Sequence, residues 1–225
     1  MAATLGAEIS ELGPAWREFS AKRAPKIIAA AIVLALAARI ALGGFGWRDA
    51  AAVAFMLVVY PFGEWAIHVY LLHLRPFRLR GRRIDLPTAR AHREHHEDPH
   101  RLGLINFSPS EALAILLLAV PTAIALGAGA VALAGGSPSL GVLIMALLTG
   151  YVLVGIYEWT HFLIHTAYRP RSRYYRSIWC NHRLHHFKNE HYWHGITNTV
   201  SDRVLGTQPD ARAVRRSRTA RSLHP

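Results

Sequence analysis

Cysteine is almost absent from this 225-residue sequence, which contains only Cys180. A single thiol excludes an intrachain disulfide and a cysteine-rich zinc or iron–sulfur site, so histidine is the only abundant metal-binding side chain. The sequence also lacks a glycine-rich dinucleotide loop, a phosphate-binding loop and a CxxCH haem-attachment motif. Any chemistry of this chain must therefore be sought among its histidines and carboxylates.

Charged residues are nearly absent from four long stretches of Ala, Leu, Val, Ile and Gly. Because a membrane-spanning helix needs ~20 mostly apolar residues, these stretches predict four transmembrane helices. They cover residues 27–45, 50–63, 112–134 and 140–157. The second and fourth are short, but both continue through aromatic residues typical of a membrane interface, including Trp65 and Trp159. These two helices can therefore emerge on the same side.

The net charge of +12 is distributed unevenly along the chain. Four Lys and Arg residues precede the first apolar stretch, eight lie between His73 and Glu111, twelve follow Thr166, and the other two are Arg39 and Arg48. This positive-inside pattern predicts that both termini and the central loop are cytoplasmic, with Arg39 extending towards water from the outer end of its helix. A membrane surface accounts for the charge without nucleic acid, and the Ala- and Arg-rich composition favours a bacterial inner membrane.

The predicted organisation is a cytosolic N-terminal segment (1–26), a membrane domain (27–210) and a basic tail (211–225). The first apolar stretch follows 26 residues, more than the usual charged start of a signal peptide, so an uncleaved helix is expected. The tail is rich in Arg and Ser, which predicts a disordered segment attracted to anionic lipid. The expected fold class is all-α integral membrane, with four transmembrane helices in two hairpins and a cytosolic helical cap that holds a histidine-rich di-metal site.

Histidine is absent before His68 and between Arg101 and Thr160, yet thirteen of the fourteen histidines fall in two segments. Each segment contains a pair of histidines followed by a triplet with HxxHH spacing. The predicted topology brings both segments to the cytoplasmic face. The ten candidate metal ligands are His68, His73, His92, His95, His96, His161, His165, His182, His185 and His186.

The spacing within each motif predicts where the imidazoles point. Residues three and four apart share one face of a helix, so each HxxHH triplet and the pair His161/His165 can converge. The pair His68/His73 is an exception, because a five-residue step rotates ~140° around an ideal helix. Either the helix distorts there, or the two rings approach the site from different sides.

The number of histidines indicates two metal ions. Ten imidazoles are too many for one ion, whereas five for each of two ions leave an exchangeable position on each. A solvated polar face or a pH sensor gives no reason for a repeated pair and triplet. Two other classes remain open: a metal transporter, with ligands near the membrane midplane of several helices, and a haem protein, with axial histidines facing each other inside the bundle.

Three carboxylates are candidates for supporting the ligands. Glu64 lies four residues before His68 and Glu158 lies three before His161, so each can accept the second ring N–H of a ligand. Asp202 is a weaker candidate for the same role. The alternative for these groups is an interfacial carboxylate paired with an arginine.

Other polar residues near the motifs receive peripheral roles. His191 and His194 continue the second segment and are candidates to line the substrate entrance, while His100 and His224 are assigned to the surface. Five arginines of the central loop can hold an acidic head group or an acidic electron donor, although topology signalling is their main expected role. These arginines are Arg75, Arg78, Arg80, Arg82 and Arg83.

The four motifs in order, HxxxxH from His68, HxxHH from His92, HxxxH from His161 and HxxHH from His182, resemble the fatty acid hydroxylase and sterol desaturase superfamily. The resemblance covers about residues 62–209. It implies a four-helix membrane domain with a cytosolic cap, a site of two Fe ions held by the ten histidines, and O2-dependent hydroxylation of an acyl chain. Zinc, which has no accessible redox change, is implied only as a purification substitute.

The sequences at 150–152, at 195–198 and at 205–207 resemble the fatty acid 2-hydroxylase branch of that superfamily. The chain shows no cytochrome b5-like domain such as some members carry, so the resemblance implies that electrons come from a separate donor, a cytochrome b5-like protein or a ferredoxin with its reductase. The expected substrate is a membrane lipid. A carotenoid or sterol-type hydroxylase or desaturase is the alternative within the superfamily.

Overall fold

The computed structural model describes residues 6–223; His224, assigned above to the surface, lies outside them. The described chain is mostly helical. Its helices are α1 (Leu12–Ala21), α2 (Arg23–Leu42), α3 (Trp47–Ala66), α4 (Pro87–Glu97), α5 (Pro109–Leu133), α6 (Leu140–Ile164), α7 (Arg173–Phe187) and α8 (Val200–Val204). Its strands are β1 (Phe77–Leu79) and β2 (Arg82–Ile84).

Four helical segments are long and apolar enough to span a membrane, as the sequence predicts. They cover Arg23–Leu42, Trp47–Leu72, Leu102–Leu133 and Leu140–Ile164. Many large apolar side chains on these segments are exposed; Leu34, Leu117 and Leu133 have 70%, 71% and 80% of their surface open. Such surfaces suit hydrocarbon rather than water. The chain is therefore an integral membrane protein.

Residues 17–60 and 107–159 form one compact unit. Gly127 of α5 lies so close to Ala146 of α6 that a Cβ on the glycine would stand 2.8 Å from the alanine Cβ. Small residues let helices approach closely, as is common within membranes. The buried core of this unit consists of Ala52, Met56, Ala123, Val131, Val142 and Ala146.

Arg39 of α2 is buried, which corrects the expectation that it extends towards water. The residue is 1% exposed, and its Nε and Nη2 donate to Oδ1 of Asp49 at 3.0 and 2.7 Å. Nη1 donates to the Gly43 carbonyl at 2.6 Å, and the Phe45 ring centre lies 3.8 Å from the guanidinium carbon. Because the charge is paired and hydrogen-bonded locally, water is not needed. The pair joins the end of α2 to the start of α3.

Residues 6–16, 61–106 and 160–223 form the second compact unit. This unit contains α4, α7, α8 and the two strands, together with all ten candidate ligands.

The β1–β2 hairpin departs from the all-α expectation. Phe77 pairs with Ile84 in an antiparallel ladder, and the two residues that connect the strands, Arg80 and Gly81, have φ angles of 49° and 78°. Two positive φ values are typical of the tight turn that matches the twist of paired strands. The hairpin escapes sequence-based prediction because Arg-Gly is not a usual turn pair and the strands are only three residues long.

Residues 211–223, the basic tail of the sequence, contact other residues of the second unit, and we call them the C-terminal strap. Ser217 N donates to the Lys188 carbonyl at 2.8 Å. Ala220 and Leu223 are buried. The composition of the tail gives no sign of these contacts, because they depend on partners distant in the sequence.

Candidate metal centre

The HxxHH triplets of α4 and α7 turn inward. Within each helix, positions three and four apart lie on one face, and the opposite face carries exposed residues such as Glu94 and Arg176. All six imidazole-bearing residues are buried, as expected for ligands rather than for a solvated face. The triplets are His92, His95 and His96 in α4, and His182, His185 and His186 in α7.

His68 and His73 come together because the helix distorts between them. Ile67–Leu72 form a π-helical segment, and His73 N donates to the His68 carbonyl at 3.2 Å. This i→i+5 bond closes a wider turn than that of an α-helix, so residues five apart lie one above the other. The two ring centres are 4.9 Å apart. Of the two alternatives left open by the spacing, helix distortion is the one observed.

The ten histidines form two groups of five. In each group, one ring nitrogen from every residue lies within 4.8 Å of the others. Each group takes four residues from one sequence segment and one from the other. His185 of the second segment belongs to the first group, and His95 of the first segment belongs to the second group. The first group is His68, His73, His92, His96 and His185; the second group is His95, His161, His165, His182 and His186.

The ring nitrogens of these groups fit metal ions. Nε2 of His182 lies 2.9 Å from Nε2 of His165 and 3.0 Å from Nε2 of His186. A ring nitrogen of a neutral imidazole carries at most one hydrogen, so a single N–H cannot satisfy both of these close contacts. A cation placed among them would instead accept every lone pair. Buried ring nitrogens without a hydrogen-bond partner among the described residues point the same way. They include Nε2 of His68, His73 and His185, and both nitrogens of His95.

Backbone carbonyls orient three rings of the first group. Nδ1 of His68 lies 2.6 Å from the His194 carbonyl, and Nδ1 of His185 lies 2.8 Å from the Tyr192 carbonyl. Nδ1 of His96 lies 2.9 Å from the carbonyl of Ala220 in the strap. Because a carbonyl only accepts, the proton of each neutral ring resides on Nδ1, and Nε2 is left for a metal.

Burial keeps the rings outside the spanning segments neutral. Desolvation, reinforced by neighbouring histidines, holds their pKa values below the usual range, and for His96 the pKa falls to about 4. A neutral ring retains the lone pair that a metal requires. The other rings whose pKa is lowered, in each case first by burial, are His73, His92, His95, His165, His182, His185, His186 and His194.

Two of the predicted carboxylates organise the loop that follows α7. Glu64 Oε1 accepts from the backbone N–H groups of Ile196 and Thr197 at 2.7 and 3.0 Å, and Oε2 accepts from the Thr197 hydroxyl. Asp202 accepts from the backbone N–H groups of His194 and Gly195 at 2.9 and 2.8 Å. These carboxylates therefore hold the loop that presents the His194 carbonyl to the metal centre.

The third carboxylate, Glu158, is fully buried in α6. Its two oxygens accept from the Phe107 N–H at 3.4 and 3.3 Å. A role towards His161 stays a prediction.

His194 and His191 occupy different environments. His194 is buried, and its ring centre lies 5.4, 5.7 and 5.2 Å from those of His68, His73 and His185. The side chain of His191 is 65% exposed and lies 3.5 Å from Glu190. The structure thus places His194 beside the first group and His191 on the surface. His100, assigned to the surface, is half-buried against Phe187.

Glu190 is a residue near the site that sequence reasoning missed. It is 2% exposed, and its Oε1 accepts from Ser217 Oγ at 3.0 Å and from Thr219 Oγ1 at 2.5 Å. Both hydroxyls belong to the strap, whose next residue, Ala220, supports His96. A carboxylate just after α7 carries no motif, so only the folded structure reveals the connection.

The described chain is thus a helical integral membrane protein with two groups of five histidines, nine of them buried. Residues 53–207 match the sequence profile of the fatty acid hydroxylase family, and the chain belongs to that family. This agrees with the resemblance drawn from the four motifs.

Two curated relatives from Arabidopsis thaliana share this similarity. The chain is 28% identical over 164 residues to the dihydroceramide fatty acyl 2-hydroxylase FAH2. The aligned residues cover 72% of this chain and 62% of that protein. The chain is also 28% identical over 163 residues to the dihydroceramide fatty acyl 2-hydroxylase FAH1, covering 71% and 61%. The chain thus spans about three-fifths of the length of these relatives. No solved structure matches it.

Proposed function

We propose that this protein is an O2-dependent lipid hydroxylase with a non-haem di-iron centre, and that its substrate is a fatty acyl chain. The observation that carries the proposal is the pair of five-histidine groups, in which nine of the ten residues are buried. Membership of the fatty acid hydroxylase family supports hydroxylation as the reaction. The two plant relatives are fatty acyl 2-hydroxylases, which favours an acyl lipid over a carotenoid or a sterol as the substrate of this chain.

In this proposal the first and second groups would each hold one iron ion through the nitrogens of their five imidazoles. When bound, two redox-active ions supply the electrons that O2 activation requires. The chain itself holds the rings in place, keeps them neutral and excludes bulk water from them. Compact groups also favour an enzyme over a transporter, because a transporter needs ligands distributed along a path.

We further propose that the four spanning helices form two hairpins with both termini in the cytoplasm, and that the histidine groups lie in a cytosolic cap. The uneven distribution of basic residues supports this orientation. Electrons come from a separate protein, either a cytochrome b5-like donor or a ferredoxin with its reductase. A bacterial inner membrane stays a prediction from composition alone.

The test is incorporation of labelled oxygen by the purified, iron-loaded protein in lipid nanodiscs. With a chemical reductant and 18O2, mass spectrometry should find acyl lipids that have gained one 18O atom. His95→Ala, which removes a ligand of the second group, should abolish the product, whereas the exposed His191→Ala should retain it. Labelled product from neither wild type nor His191→Ala, despite two bound iron ions and a panel of acyl lipids, would refute the proposal.

A further inference from the structure

The β1–β2 hairpin carries a dense positive charge without acidic neighbours of its own. Between residues 75 and 84 the sequence contains five arginines and no Asp or Glu. None of these guanidinium groups makes a hydrogen bond or an ion pair within the part of the chain that the structure describes. All five are available to bind an external anion. They are Arg75, Arg78, Arg80, Arg82 and Arg83.

The first acidic residue after the hairpin in the sequence, Asp85, is already paired with Arg93 and helps to fix the hairpin in place. Asp85 Oδ1 accepts from Arg93 Nη2 at 2.5 Å, and Arg93 Nη1 donates to the Leu74 carbonyl at 3.2 Å. Arg93 of α4 thus holds the residues on both sides of the hairpin. The arginines between these two points are presented on a fixed support, which lowers the ordering cost of binding.

A surface depression of about 490 Å³ lies beside β1 and combines charged and apolar walls. Its lining residues are Arg75, Pro76, Phe77, Arg78 and Arg83. Three guanidinium groups with an exposed aromatic ring suit a ligand that has both an anionic oxygen group and an apolar body.

The position of the hairpin in the chain indicates the source of that ligand. An apolar span ends at Leu72, and β1 begins at Phe77, so the connection can reach at most ~17 Å when fully extended. Phe77 and Leu79 are 40% and 57% exposed. Exposed apolar residues among arginines, tethered close to a membrane boundary, are typical of a segment that lies in the head-group region.

We propose that the β1–β2 hairpin binds an anionic phospholipid. The head-group phosphate lies among Arg75, Arg78 and Arg83, the glycerol region contacts Phe77 and Pro76, and Leu79 enters the interface. This site is separate from both histidine groups and goes beyond the proposed hydroxylase reaction. It would position the second compact unit at the membrane surface.

The first test measures binding of phosphatidylglycerol to the full chain in detergent by native mass spectrometry. Arg75→Gln/Arg78→Gln/Arg83→Gln should weaken binding about a hundredfold, because each basic residue at a membrane surface contributes roughly fivefold. The matched control is Arg171→Gln/Arg173→Gln/Arg176→Gln, which removes the same charge from exposed positions and should bind as wild type does. Equal loss in both variants, or no loss in either, would overturn the site.

The second test locates the hairpin without altering its arginines. Cys180 is the only cysteine, so Cys180→Ser provides a background for Leu79→Cys carrying a fluorescent label. In nanodiscs that contain phosphatidylglycerol and a nitroxide lipid, the label should be quenched. A label that stays unquenched, but is shielded when an acidic ferredoxin is added, would overturn the lipid in favour of a protein partner. Inorganic phosphate that displaces the lipid at equal concentration would also contradict the proposal.

Both tests measure lipid binding or label quenching, so their outcome does not depend on whether the protein hydroxylates a substrate. Metal content measured on the same samples tests the hydroxylase proposal separately.

Discussion

At the residue scale, the candidate metal centre depends on side chains outside the two histidine groups. Asp202 accepts from the N–H groups of His194 and Gly195, and also from Thr207 Oγ1 at 2.6 Å. The His194 carbonyl in turn orients His68. A change at Asp202 should therefore reach the first group through the backbone.

Asp202→Asn should weaken metal binding by the first group. The amide can offer only one acceptor oxygen in place of two, so at least one buried N–H is left without a partner, at a cost of ~1–3 kcal/mol. Competition with a chelator should show one of two metals lost about ten- to a hundredfold more easily. Asp210→Asn, at an exposed position, is the control. Unchanged retention of both metals in Asp202→Asn would show that the loop is held by other contacts.

The neutral, buried histidines also predict a pH dependence of stability. In the folded, metal-free protein the buried imidazoles stay neutral, and the pKa of His96 is about 4. In the unfolded chain, imidazoles protonate with a pKa of ~6.5. The unfolded chain then binds more protons, so stability falls as the pH is lowered from ~6.5 towards 4, by up to ~1.4 kcal/mol per pH unit for each such ring.

Thermal unfolding of the metal-free protein in detergent, followed by tryptophan fluorescence between pH 7 and 5, measures this effect. His96→Gln should show a shallower dependence because it removes one titrating ring and can still donate to the Ala220 carbonyl. A melting temperature that does not change with pH in this range would contradict the assignment of neutral buried rings.

The sequence predicts much of the site at this scale, but not its internal arrangement. The ten candidate ligands are the residues of the repeated pair and triplet, and the structure brings them together. Their division into two groups does not follow from the spacing, because His185 and His95 each join ligands from the other segment. The carbonyls of His194, Tyr192 and Ala220 also escape prediction, since every residue has a carbonyl and spacing cannot distinguish them.

At the element scale, the C-terminal strap and the α2–α3 connection each depend on a single carboxylate. Glu190 receives two hydroxyls of the strap, and Asp49 receives the guanidinium of Arg39. The apolar helices are read directly from their composition, whereas these connections arise only when distant residues meet.

Thr219→Val should loosen the strap, because the buried Glu190 carboxylate loses one of its donors and the Ala220 carbonyl loses its fixed position. Metal retention by the first group should fall by about tenfold, the effect of ~1.4 kcal/mol. Thr219→Ser keeps the hydroxyl and should restore retention. Equal behaviour of the valine and serine variants would show that the strap does not support His96.

Arg39→Gln should destabilise the first compact unit strongly. It leaves Asp49 buried without its positive partner, which typically costs ~3–5 kcal/mol. The double variant Arg39→Met/Asp49→Leu removes both charges and should lose less. Melting temperatures in detergent compare the three proteins, and a single variant no less stable than the double variant would argue against a buried pair.

At the scale of the whole molecule, the chain passes several times between two compact units that contain different kinds of residues. Residues 17–60 and 107–159 supply apolar helices, while residues 6–16, 61–106 and 160–223 hold every candidate ligand. In the sequence, histidine is absent from the predicted apolar stretches and concentrated beside them, but this pattern does not predict a division into two compact units. The hairpin and the strap could not be predicted, because neither has a periodic pattern or a usual turn signal.

The central claim is that the two histidine groups bind two metal ions, and metal content tests it most directly. Elemental analysis of detergent-purified protein from iron-supplemented cells should find about two metal ions per chain. His185→Ala removes a ligand from the first group and His186→Ala removes one from the second, so the double variant should lose both ions. Folded wild-type protein without stoichiometric metal would contradict the account.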